Sequence, residues 1–127
     1  MKRLSPIIPF KVWIGELDEL HWFRTNGFIL YNIAFGWMFS SYIESNVLPQ
    51  SLQILDLGQR FDQKMVKDLL PQNLHTLKLG IYFNKSIPVG IFPEFLHTLK
   101  FSCDFNRTLD VGVLPEKIGR ASCRERV

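Results

Sequence analysis

The sequence predicts a repeat solenoid, mainly β: short parallel strands stacked at a 22-residue period, with few or no long helices. Three observations predict it. Leu-Pro or Phe-Pro pairs recur at Leu48-Pro49, Leu70-Pro71, Phe92-Pro93 and Leu114-Pro115. A phenylalanine keeps the same step at Phe39, Phe61, Phe83 and Phe105. Between them runs an L-x-x-L-x-L core, clearest at Leu52, Leu55 and Leu57 and again at Leu74, Leu77 and Leu79. Repeats of this length are one supersecondary unit each and become stable by stacking.

Each column has a physical reason. In the core, alternate residues point the same way, so Leu55 and Leu57 face inward while Ile54 and Asp56 face out. The same inward set recurs as Leu30, Ile33 and Phe35, and as Leu96, Leu99 and Phe101. Gly36, Gly58 and Gly80 follow the strand where the chain bends, with Ser102 in the fourth unit. The phenylalanine column fills the far side of each coil, where a ring buries roughly 150–250 Å². Ile43, Met65, Ile87 and Leu109 close the apolar set. Proline fixes its own φ and pushes the residue before it toward extended geometry, which turns the chain back. No window carries a ten-residue helical pattern, so the convex side is expected to be loops or short turns.

The chain then divides into four units, 30–51, 52–73, 74–95 and 96–117, with residues 1–29 before them and 118–127 after. Two accounts of residues 1–29 stand. Phe10, Val12 and Ile14 alternate as in a capping strand, with Trp13, Trp22 and Phe23 covering the first coil. Alternatively, the stretch is the remnant of a lost upstream domain. Residues 118–127 read IGRASCRERV, the translation of one frame of a common sequencing adapter whose next triplet is a stop. They are expected to be an artefact, with 119–127 making no regular continuation of the fold.

Setting that tail aside changes the charge and the cysteine count. Arg120, Arg124 and Arg126 against Glu125 supply +2 of the net +3, leaving about +1. That is no argument for nucleic acid, and the broken apolar runs do not make a membrane span. Cys103 becomes the sole cysteine, which fits a reducing compartment and a cytoplasmic location. Phosphate-binding glycine loops, a Walker motif and paired catalytic carboxylates are missing, so no enzyme activity and no cofactor is expected.

The columns resemble the FNIP repeat, a relative of the leucine-rich repeat whose pattern runs roughly L-P-x-S-L-x-x-L-x-L-G-x-x-F-N-x-x-I. The run Leu48-Pro49-Gln50-Ser51-Leu52-Gln53-Ile54-Leu55-Asp56-Leu57-Gly58 fits it closely. Phe83-Asn84, completed by Ile87, and Phe105-Asn106 carry its F-N pair. Departures are Ser40 and Asp62 at the Asn position, Phe92 for Leu and Ser102 for Gly, each expected to weaken its coil. Many members resemble F-box proteins. That implies a second possible role, the substrate-recognition part of an F-box-type ubiquitin ligase adaptor, with ligase components as partners. Residues 1–29 contain no such box.

The expected function is a protein–protein interaction solenoid whose outward sheet face binds a protein partner. The outward positions include Asp56, Thr76, Lys78, Thr98 and Lys100; Trp37 and Tyr82 follow the strand ends as aromatic anchors. Stacked lysines cost roughly 0.2–1 kcal/mol on a solvated face. His75 and His97 also stack, but Tyr31 and Gln53 complete their column, so no metal site is expected.

Overall fold

A computed structural model describes residues 7–102, 112–115, 118 and 120–124. The elements are β1 (Ile7–Ile8), β2 (Val12–Ile14), α1 (Leu17–Thr25), β3 (Ile29–Leu30) and β4 (Asn32–Phe35), then β5 (Ile54–Asp56), β6 (Thr76–Lys78), β7 (Thr98–Ser102) and β8 (Arg120–Arg124). β1 and β3 pair in a small sheet, and the rest form one six-stranded sheet in the order β2-β4-β5-β6-β7-β8. Every pairing is parallel, because each coil brings the chain back to start its next strand at the same side. The register is the sequence period itself: Leu55 pairs with Leu77, and Leu77 with Leu99.

The phenylalanine column stacks as a ladder. Phe39, Phe61 and Phe83 lie with ring centroids 6.2 Å apart and planes within 4° of parallel. All three are buried, as are Leu52, Leu55, Leu57, Leu74 and Leu77. Phe105, Leu109 and Cys103 lie outside the described residues. The proline step makes one hydrogen bond four times: Leu52, Leu74, Leu96 and Ile118 each donate their backbone N–H to the carbonyl of the proline three residues earlier, at 3.1 Å.

β5 and β6 are three residues long because glycine bends the chain two residues later. At Gly80 any side chain would force the coils to shift, since a Cβ there would lie 2.1 Å from the Gly58 carbonyl oxygen. Where Ser102 replaces glycine, the strand runs on through it.

The Asn column has a clear physical role. The Asn84 backbone N–H donates to Asp62 Oδ1 at 3.0 Å, and the Asp62 N–H to Ser40 Oγ at 3.3 Å. A side-chain oxygen on one coil thus accepts from the backbone of the next. Ser40 and Asp62 keep that acceptor, so at these two positions the departure from Asn does not remove the bond.

Two expectations are corrected. Trp13 and Trp22 do not seal the first coil; they are exposed, and the helix α1 buries Leu20 instead. Trp22 stacks on Phe28, with Phe23 set edge-on to both. Nor does the fold stop before the tail. β8 pairs with β7 over five residues, from Thr98↔Arg120 to Ser102↔Arg124. Parallel pairing is made by backbone groups, and the open edge of β7 accepts an extended segment whatever its side chains.

Candidate partner-binding face

The outward face of the sheet is built by the residues between the inward leucines. In register across β5, β6 and β7 stand Ile54, Thr76 and Thr98, and beside them Asp56, Lys78 and Lys100. The inward columns hold one chemical type because they share a core; the outward ones change from coil to coil because solvent imposes no such match. Among the described residues neither lysine has a carboxylate within ion-pairing distance. Asp56 turns its Oδ1 to accept the Gly58 N–H at 3.0 Å.

A second feature extends the polar patch. The rings of His75 and His97 stack 5.0 Å apart at 10°, and each Nδ1 lies against the hydroxyl of the following threonine, at 3.0 Å from Thr76 Oγ1 and 3.1 Å from Thr98 Oγ1. Among the described residues no group of three or more His, Cys, Asp or Glu side chains could hold a metal ion.

At the lip beyond the strand ends, Trp37 and Tyr82 are 60% and 55% exposed. They are joined by a residue that sequence reasoning missed. The Arg60 guanidinium carbon sits 5.5 Å from the Trp37 ring centre and 5.3 Å from that of Tyr82. Such contacts contribute about 0.5–1 kcal/mol each at exposed sites. The coil register held the signal: Arg60 is 22 residues before Tyr82 and one coil after Trp37 and Met38.

Between lip and face lies a groove of about 420 Å³, lined by Trp13, Phe35, Gly36, Trp37, Asp56, Gly58, Gln59 and Gly80. It brings Trp37 and Asp56 to one place and adds Trp13 from β2. The Thr76, Lys78, Thr98 and Lys100 patch lies further along the same sheet, and Tyr82 stays outside the groove. Among the described residues, no helix is long and apolar enough to cross a membrane.

A stacked parallel sheet with Phe39, Phe61 and Phe83 laddered inside its coils defines a leucine-rich-repeat-like solenoid. The FNIP Repeat family matches residues 31–82 and 83–119, most of the chain, and the chain belongs to that family. Among solved structures it is similar to CroV588, described as a novel circular LRR protein structure, at 35% identity and a TM-score of 0.72. That match covers 74% of this chain and 14% of CroV588, so this chain spans a small part of that protein's length. A comparison with curated proteins gives no match.

Proposed function

We propose that this FNIP-repeat solenoid is an interaction module that reads an acidic protein segment with its outward sheet face. One observation carries this proposal: Lys78 and Lys100 stand side by side in register on the face, with no carboxylate partner among the described residues. Two like charges held together repel, and an anionic group bridging them relieves that repulsion. Thr76 and Thr98 flank the pair and add hydroxyls. Asp56, Trp37 and Tyr82 border the surface, where exposed aromatics serve as anchors.

The test is the double variant Lys78→Glu with Lys100→Glu. Folding is expected to change by no more than about 0.5 kcal/mol per site, because Lys100 is exposed and Lys78 half-buried on the outward face. Capture of acidic partners should weaken, and wild-type capture should fall with added salt. Recovery of the same partners by both proteins, at every salt concentration, would remove the sheet face as the reader.

A further inference from the structure

We infer that the groove between Trp13 and Trp37 is a subsite for an arginine side chain of a protein partner. This rests on the outward face being a contact surface, but on different residues from the lysine pair. Three observations combine. Trp13 and Trp37 are 64% and 60% exposed, yet both line one concave site. Both rings already draw a cation of this chain: Lys11 Nζ lies 5.2 Å from the centre of Trp13, and the Arg60 guanidinium 5.5 Å from that of Trp37. Asp56 supplies a carboxylate at the same place. Its Oδ1 accepts from the Gly58 N–H at 3.0 Å, which holds the side chain in place.

This chemistry selects a planar cation. A guanidinium stacks on aromatic faces and presents paired N–H donors that match a carboxylate. A neutral side chain would gain neither the cation–π contact nor the pairing with Asp56, and an acidic one would face that carboxylate. The outward face is therefore polarised. On β2, after β4 and on β5 it offers two indoles and the Asp56 carboxylate, with Lys11 and Arg60 beside the rings, and on β6 and β7 it offers Lys78 and Lys100. A partner segment with an arginine at one end and acidic residues at the other would meet both.

The measurement is an NMR titration of the whole chain, following the indole N–H signals. The probe is Nα-acetyl-arginine amide, with Nα-acetyl-citrulline amide as its uncharged, near-isosteric control. Trp22, 54% exposed on α1, lies outside the groove in a separate hollow with Asp18 and Glu19, so Asp56→Asn is what separates its response from that of the groove. The signals of Trp13 and Trp37 should move together with the arginine probe, along one binding curve. Citrulline should move none of them. Asp56→Asn keeps the acceptor for Gly58, so the turn survives, and it should weaken the arginine probe about tenfold. Citrulline shifting the same signals equally, separate binding curves for Trp13 and Trp37, or an unchanged titration of the two in Asp56→Asn would each overturn the assignment. The Lys78→Glu, Lys100→Glu protein separates the two proposals: it should still bind the arginine probe even if the sheet face proves not to read acidic partners.

Discussion

The coil made by residues 7–29 and the coils that follow it extend the same sheet by different means. In the first three repeats the chain crosses the convex side as loops, with Phe39, Phe61 and Phe83 buried and stacked in turn. In the first coil that role passes to α1, which buries Leu20 and leaves Trp22 exposed. The helix carries Asp18 and Glu19 in its first turn and Arg24 in its last, each at the end where the helix dipole favours it. Arg24 Nη1 also donates to the carbonyl oxygens of Val47 at 2.9 Å and Asn46 at 3.3 Å, tying the helix to the loop of the next coil. A repeat coil is held by residues that recur; the first coil is held by residues that occur once. Stability in such a stack is close to a sum of coil and neighbour-interface contributions. The two kinds of coil should therefore respond differently to damage.

The largest effect is expected at Phe61. Its ring is fully buried and stacked on both sides, so Phe61→Ala opens a cavity shared by three coils. A loss of about 3–5 kcal/mol is expected, a large part of a typical domain's stability. Trp22→Ala should cost less than about 1 kcal/mol, since an exposed ring loses little on truncation. Urea midpoints decide the matter, and equal losses would mean that the ladder carries no special share of the stability.

Leu20→Ala comes next, at about 2–4 kcal/mol for a fully buried leucine. The damage should stay local. Hydrogen exchange should speed up across 7–29 while the amides of β5 and β6 keep their protection. Uniform loss of protection would show that the first coil is cooperative with the rest and acts as more than an end piece.

Most of this contrast was legible in one half of the molecule only. The period placed the strands, the phenylalanine ladder and the inward leucines of the repeats, because each column repeats under the same packing demand. One column escaped notice although it repeats as well. Asn46, Asp68, Gly90 and Gly112 all have φ between 64° and 90°. They are the residue types that tolerate a left-handed backbone, placed two residues before each Leu-Pro or Phe-Pro pair. It was missed because Asn, Asp and Gly share a backbone preference and no side-chain character. α1 was missed for another reason: a nine-residue helix with one buried side chain has little apolar periodicity to display. At the site, the period aligned Lys78 with Lys100 and Asp56 with Lys78. It gave no view of Arg60 between two rings, nor of Trp13 reaching the groove, because those contacts depend on side-chain reach across coils.

A smaller effect tests the strictness of the period. Gly36 and Gly80 occupy the same column. A Cβ at Gly80 would meet the Gly58 carbonyl oxygen at 2.1 Å, whereas at Gly36 the nearest atom is the Ile14 carbonyl oxygen at 3.9 Å. Gly80→Ala should therefore cost about 1–3 kcal/mol, as an overpacked site does, and Gly36→Ala less than about 1. The difference follows from the neighbours: Gly80 stacks on a repeat coil, and Gly36 on the helical first coil. Equal melting temperatures for the two variants would show that the first coil packs as tightly as the others.

The smallest effect is expected at the other end. β8 continues the register of the repeats, yet it sets Ala121 opposite Leu99 and Cys123 opposite Phe101. Those are the positions where β5 and the residue after it place Leu55 and Leu57, both fully buried. The pairing thus reproduces the backbone ladder of a coil with little of its apolar content. Net stabilisation from backbone hydrogen bonds at a sheet edge is small, since water satisfies the same groups when the strand leaves. We propose that residues 118–127 are foreign to the repeat, as their match to an adapter translation suggests, and that β8 is opportunistic pairing. Ile118 is the exception within the stretch, because its N–H closes the proline turn at Pro115 and its side chain packs partly on the core. Deleting 119–127 while keeping Ile118 should lower stability by less than about 1 kcal/mol, a shift of no more than about 4–8 °C in the melting temperature. Amide exchange should accelerate along β7 only. A fall as large as that of Leu20→Ala would mean that the strand caps the solenoid, and the adapter origin would then have to be abandoned.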